Sequence, residues 1–237
     1  MSEKVYVGTE LELFSQARKW KGYLGSILKK YLRGRVLEVG AGMGAMTSVL
    51  CDGTQEYWLC LEPDPRLSAI LESKIKEGGL PPCCAVKNGT ISELATASPF
   101  NVILYVDVVE HIYDGKQELE EAVQRLSSGG FLAIVAPAHM ALYSTFDSGI
   151  GHFRRYTKEM LTTIAPAALE VKDLRYLDSM GFFCSLGNRY LLKRTTPTAT
   201  HISIWDKVLI PFSRLIDPLM GYTFGRSIVA VWQYKPE

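Results

Sequence analysis

The stretch that most constrains this chain is RVLEVGAGMGAMTSVL, Arg35 to Leu50. An apolar run passes an acid, enters three alternate glycines (Gly40, Gly42, Gly44) and continues with helical character. A strand that feeds such a turn and then a helix brings bare backbone close to a ligand, because glycine accepts dihedrals and approaches that a Cβ forbids. The rest of the chain has to say which ligand.

The same alternation continues downstream. RVLEVG precedes a helix expected near Ala45 to Cys51, EYWLCLE one at Pro65 to Lys76, and FNVILYVDVV one near Lys116 to Leu126, before GGFLAIVAP. CCAVKN, VKDLRYLD and SIVAVWQYK bring the strands to about seven. Nearly all-apolar strands alternating with helices predict an α/β, doubly wound, Rossmann-like sheet, mostly parallel and covered on both faces. Upstream, Leu13, Ala17, Trp20, Leu24, Ile27 and Leu28 recur at helical spacing and predict one amphipathic helix from about Glu10 to Leu32. Between the last two strands, SIWDKVLIPFSRLIDPLM puts Trp205, Val208/Leu209, Phe212, Leu215/Ile216 and Leu219 on one helical face, interrupted at Pro211 and ended near Pro218. We therefore expect a single domain over 1–237, with a helical cap (1–33), a ligand-binding core (34–180), a helical insertion (181–226) and a last strand (227–237). The insertion reads as a lid over an apolar pocket. A subunit interface, a peripheral membrane contact through 203–220, and plain packing over the sheet are its alternatives.

At 237 residues and 47% hydrophobic, the chain can bury a substantial core. Its 26 basic and 25 acidic residues nearly cancel and form no basic block, so no nucleic-acid partner is expected. The N-terminal stretch lacks a charged start followed by an apolar core, and no apolar run reaches membrane-spanning length, so a cytoplasmic location is expected. Five cysteines without C-x-x-C spacing read as small core residues. No His/Asp/Glu cluster shows ligand spacing, so no metal is expected either.

In such a fold, ligands bind where strands end at their carboxyl edge. Glu62 closes the second strand, 22 residues after Gly40. There a carboxylate offers two acceptor oxygens to the vicinal hydroxyls of a ribose. That suits a nicotinamide dinucleotide and S-adenosylmethionine alike. Glu38 separates them, since its charge opposes a pyrophosphate and suits a ligand carrying an ammonium and a sulfonium.

The run E-x-G-x-G-x-G, the strand ending in Glu62, and DVVEHI after the fourth strand together resemble the class I S-adenosylmethionine-dependent methyltransferases, from about Arg35 to Pro137. DSGIGHFRRYT, ARKWKGYL and LEPDPRL are similar to segments of a bacterial subgroup acting on small molecules and lipids. The resemblance implies S-adenosylmethionine as cofactor. It places Gly40, Ala41, Gly42 and Gly44 under the methionine half, Glu38 near the amino group, Glu62 and Pro63 at the ribose, and Asp107 near the methionine end or the pocket floor. The family often carries Gly-Asp after the third strand, where this chain reads NGTISEL. Thr90 takes the Asp place, so Thr90 or Asn88 is left for the adenine, while a helix or turn cap is the other reading of Thr90.

The methyl acceptor has to be found after the fifth strand, where Tyr143, Asp147, His152, Arg154, Arg155 and Tyr156 gather. His152 is the leading general base and His111 a second candidate. One of Arg154 and Arg155 is expected to meet an acidic acceptor group while the other anchors the loop, and Tyr156 is expected to orient. An Asp147–Arg ion pair that merely pins the loop is the competing reading. The expected function is methyl transfer to a small-molecule, sugar or lipid-linked acceptor, at oxygen, by in-line displacement. A non-catalytic S-adenosylmethionine-binding module and an NAD-dependent oxidoreductase are the alternatives.

Overall fold

The computed structural model describes residues 10–95, 98–187 and 198–235. Its seven strands are β1 Arg35–Val39, β2 Tyr57–Glu62, β3 Cys84–Asn88, β4 Phe100–Val106, β5 Leu126–Pro137, β6 Leu169–Leu177 and β7 Ser227–Tyr234. They form one sheet in the order β3-β2-β1-β4-β5-β7-β6. β1 to β5 pair in parallel, and β7 runs antiparallel to both β5 and β6. Burial on both faces explains the unbroken apolar runs. Val36, Trp58, Cys60, Val102 and Leu104 enter one core, and Leu37, Leu59, Leu61, Ile103 and Tyr105 enter the other. The chain leaves β1 toward β2 and β3, then returns to β4 on the other side, which opens a crevice between the carboxyl ends of β1 and β4.

The helix α4 Pro65–Lys76 has its expected span, capped by Asp64, which accepts from Arg66 N at 2.8 Å. Three expected helices differ. The one after the glycines shrinks to a single turn, α3 Thr47–Leu50, because positive φ at Gly40, Gly42 and Gly44 keeps the preceding segment in tight turns. The next, α5 Gly115–Val123, stops short of Leu126, which already pairs with Phe100. The N-terminal helix is two pieces, α1 Glu10–Ser15 and α2 Arg18–Leu28. Their break at Ala17 (ψ 72°) frees the N–H groups of Lys19 and Trp20, which donate to the carboxylate of Asp206 at 3.1 and 2.8 Å. A distant side chain thus caps α2.

Between β5 and β6 lie α6 Thr145–Gly149 and α7 Lys158–Ile164; after β6, α8 Ser179–Gly187 leads into the insertion, which carries Asp206 and the helices α9 Ala199–Ile204 and α10 Ile210–Leu219. A π-helical segment, Trp205–Leu209, joins α9 to α10, so Pro211 falls at the first turn of α10 and interrupts nothing. The expected apolar face is not the buried one. Trp205 packs inward against Trp20, but Val208, Phe212, Leu215 (68% exposed) and Leu219 (86% exposed) face outward. The inward side is partly polar. Asp217 accepts from Asp178 N, Ser179 N and the Tyr23 hydroxyl, and Asp178 accepts from Trp205 Nε1 and the Ser213 hydroxyl. Satisfying these buried carboxylates and helix ends fixes how the helix is rolled.

Candidate active site

The glycine turn lies at the end of β1. Gly40, Gly42 and Gly44 have φ of 68°, 57° and 73°, the left-handed region that favours glycine. A Cβ on Gly40 would stand 2.5 Å from Val108 Cγ2, so the turn is pressed against the loop after β4. Its N–H groups point into the protein. Gly40 N and Ala41 N donate to Leu61 O (2.7 and 3.3 Å), Gly42 N to Glu62 Oε2 (2.8 Å) and Gly44 N to Ala41 O (2.9 Å).

Glu62 therefore ties the end of β2 to this turn, while its Oε1 accepts from Asp64 N at 3.0 Å. Burial raises its carboxyl above the ordinary value, against the two backbone donors. Asn88 Nδ2 donates to the carbonyls of Glu62 (2.9 Å) and Pro63 (3.2 Å) and so braces the end of β2. Pro63 itself is exposed beside it. Thr90 opens the 3-10 turn Ile91–Glu93, where its N–H donates to Glu93 Oε2 at 2.9 Å and its hydroxyl to the same oxygen at 3.1 Å. These are the contacts of a turn cap. Glu38 is buried beneath the turn, its Oε2 accepting from Thr47 Oγ1 (2.7 Å) and Trp58 Nε1 (2.9 Å). Burial pushes its carboxyl up to about 7 despite both bonds.

Across the crevice, β4 ends at Asp107, a non-glycine residue at φ 54° whose side chain reaches solvent. Its surroundings raise its carboxyl to about 6 through desolvation, with His152, Arg226 and Arg155 opposing. A 3-10 turn, Val109–His111, follows. The segment from Tyr143 to Tyr156 folds over it. Phe153 N donates to Glu110 O (2.8 Å), Tyr156 bridges back to Ala138 at the end of β5, and the Tyr143 hydroxyl donates to His152 O (2.6 Å).

Within that segment the expected roles separate. Arg155 is buried and grips Asp147 with two bonds, Nε to Oδ1 at 2.9 Å and Nη2 to Oδ2 at 3.1 Å. Burial raises the Asp147 carboxyl, but His152 and Arg155 more than offset it and hold the group well below the usual range. Arg155 is thus the anchor of the pair, and the loop-pinning reading applies to it. Arg154 donates to Tyr113 O at 2.8 Å and lies against the Tyr113 and Phe153 rings. Tyr156, expected to orient an acceptor, is buried with its hydroxyl on Val109 O (3.1 Å), which makes it a brace for the 3-10 turn.

His152 is only 10% exposed in its side chain. Its Nδ1 meets Asp147 Oδ1 at 3.2 Å and its Nε2 faces Glu110 Oε1 at 3.8 Å. A free base would present that nitrogen to the crevice, so the expected proton-abstracting role meets an obstacle. The His111 ring packs edge-on against it, centroids 4.5 Å apart, and burial followed by the His152 charge lowers the His111 pKa to about 4. Sequence reasoning missed Glu110. It stands inside DVVEHI beside the chosen His111, but nothing local announces that its side chain is fully buried with neither oxygen hydrogen-bonded.

Residues 37–134 match a family model described as "Methyltransferase domain". No curated protein matches the chain. Among solved structures, the chain is similar to the N-methyltransferase NodS from Bradyrhizobium japonicum WM9 in complex with S-adenosyl-L-homocysteine (15% identity, 94% of this chain and 88% of that one, TM-score 0.58). It is also similar to the [4+2]-cyclase SpnF (14%, 91% and 81%, TM-score 0.64). A third is coclaurine N-methyltransferase bound to N-methylheliamine and S-adenosylhomocysteine (13%, 90% and 72%, TM-score 0.62). At these identities the likeness is one of fold, and the fold has been used for a cyclase as well as for methyl transfer. The family match over residues 37–134 and these neighbours agree on one point: the chain carries the fold of the class I S-adenosylmethionine-dependent methyltransferases.

Proposed function

We propose that the chain is an S-adenosylmethionine-dependent methyltransferase acting at oxygen on a lipid-linked acceptor. The observation that carries the cofactor is the polarity of the glycine turn. The N–H groups of Gly40, Ala41, Gly42 and Gly44 are all consumed inside the protein, and two carboxylates, Glu38 and Glu62, stand at the same strand ends. A pyrophosphate would need those donors free and the acids absent. A sulfonium ligand needs neither condition, which disfavours the dinucleotide reading.

The residues fit such a cofactor. Positive φ at Gly40 and Gly42 sets the shape of the turn, and each Glu62 oxygen, holding one backbone donor, retains an acceptor site for a ribose hydroxyl. When bound, the cofactor supplies an electrophilic methyl group. The protein's part is to align an acceptor and exclude water, with Asp107 at the crevice floor and Tyr143 to Tyr156 as its far wall. Arg154 and His111 are the side chains of that wall that we assign to the acceptor side, while Arg155 and Tyr156 hold it in place.

The insertion supports the lipid-linked class. From Ala199 to Leu219 the exposed side chains include Ile204, Val208, Phe212, Leu215 and Leu219, joined by exposed Lys207 and Arg214. Its two acids, Asp206 and Asp217, are buried. An apolar stripe edged only by cations suits an anionic bilayer surface. Among the described residues no helix is long and apolar enough to cross a membrane. Calorimetric titration with S-adenosylhomocysteine and, separately, NADH tests the cofactor. We expect the first to bind and Glu62→Ala to weaken it by about 1.5–3 kcal/mol, the loss of charge-assisted bonds to the ribose. Binding of NADH alone, or an unchanged affinity in the variant, would refute this assignment.

A further inference from the structure

The DVVEHI turn and the segment after β5 converge on Glu110, a buried acid that the methyltransferase reading leaves unused. Ligand atoms of Glu110, His111 and His152 all lie within 4.8 Å of one another. Glu110 is fully buried and neither carboxylate oxygen accepts a hydrogen bond. A buried carboxylate without partners costs several kcal/mol, so such a group either keeps its proton or has a cation beside it, and burial raises the Glu110 carboxyl well above the ordinary value in the absence of one. The nearest ion-pair contact is His152 Nε2, at 3.8 Å, too long for a hydrogen bond.

Both histidines are also held from outside the cluster. His152 Nδ1 is held by Asp147 Oδ1 at 3.2 Å, and the His111 ring is hydrogen-bonded to the Gly151 backbone. This is the outer-shell arrangement of ligating histidines, in which a carboxylate or backbone group takes one ring N–H and turns the other nitrogen's lone pair toward the ion. With Nδ1 donating to Asp147, a neutral His152 directs its Nε2 lone pair at the Glu110 carboxyl, the arrangement an ion shared by the two would use.

We propose that Glu110, His111 and His152 bind a divalent first-row transition ion beside the crevice. Two imidazoles and one carboxylate suit Mn²⁺, Fe²⁺, Co²⁺ or Zn²⁺ rather than the all-oxygen preference of Ca²⁺. Its use in catalysis rests on the methyltransferase reading. The ion would lower the pKa of an acceptor hydroxyl that reached it, so that the proton would pass to water and the oxygen would take the methyl as the carbon–sulfur electron pair returned to sulfur. The site would also explain why His152 is withdrawn from the crevice.

The test is titration of chelator-treated protein with Mn²⁺, followed by electron paramagnetic resonance, and separately with Zn²⁺ by calorimetry. One equivalent of at least one ion should bind in a Glu110-dependent way. Glu110→Gln, isosteric with a protonated acid and so suited to the same buried site, should lower that affinity at least 100-fold, and Asp147→Asn about 10–100-fold through the outer shell. Circular dichroism checks that both variants are folded, and His111→Ala serves as a further ligand deletion if Glu110→Gln is not. The three thiols Cys51, Cys83 and Cys84 also cluster, but their zinc binding would not respond to changes at Glu110. Absence of binding, or binding unaffected by the substitutions at Glu110 and His111, overturns the proposal. Because no cofactor is present in the assay, that failure is distinct from failure of S-adenosylhomocysteine to bind.

Discussion

Replacing Gly40 by alanine should destabilise the protein for two separable reasons. The residue has φ 68°, which costs an L side chain about 1–2 kcal/mol. Its new Cβ would also stand 2.5 Å from Val108 Cγ2 and 3.1 Å from Cγ1, overpacking worth about 1–3 kcal/mol. Lower entropy of the unfolded chain returns about 0.4–1 kcal/mol, so the net loss is about 2–4 kcal/mol. Truncating Val108 to alanine removes both γ carbons and leaves its Cβ at 3.4 Å, an ordinary contact. In that background Gly40→Ala should cost only the backbone part less the same entropy return, about 0–1.5 kcal/mol. Urea unfolding of wild type, both single variants and the double variant gives the coupling directly. We expect a coupling of about 1–3 kcal/mol. Additive variants would refute the reasoning, since the first glycine would then be required for its dihedral alone and not to let the cofactor turn press against the loop after β4.

Two further outcomes test the core and the insertion. Glu38 holds its proton up to about pH 7 when folded but only to about 4.5 when unfolded, so its contribution is fully present below 4.5 and is lost as pH rises through 7. That loss is worth about 3 kcal/mol, and Glu38→Gln, which cannot ionise, should gain on wild type by about that much between pH 4.5 and 8 in urea unfolding; a difference that does not change with pH rejects the account. The outward face of the insertion should carry wild type into the pellet with vesicles containing anionic lipid. Serine at Phe212, Leu215 and Leu219 should abolish this, and glutamine at Lys207 and Arg214 should weaken it about five-fold each, near 1 kcal/mol per cation. Wild type that stays in solution with these vesicles counts against a membrane-bound acceptor.

What could be read from the sequence was what local periodicity encodes. All seven strands, the span of α4 and the glycine turn follow from apolar runs, a capping Asp64 and positions where only glycine tolerates a positive φ. Glu62 was legible because its distance from the glycines is fixed by one strand–helix–strand unit. Where partners lie far apart in the chain, tertiary structure decided. The break at Ala17 exists because Asp206 accepts the freed N–H groups of α2. The insertion's apolar stripe faces outward because Asp178 and Asp217 must be satisfied inside, which periodicity cannot reveal since it marks a face without saying what covers it. The same holds at the site. Arg154 and Arg155 are neighbours in sequence, yet only folding determined that Arg155 closes on Asp147. Glu110 and His111 sit on one turn, and only the crossing of a distant loop brings His152 within reach of both, because ligand geometry is a property of three-dimensional distance and chain spacing records it only when the ligands share an element.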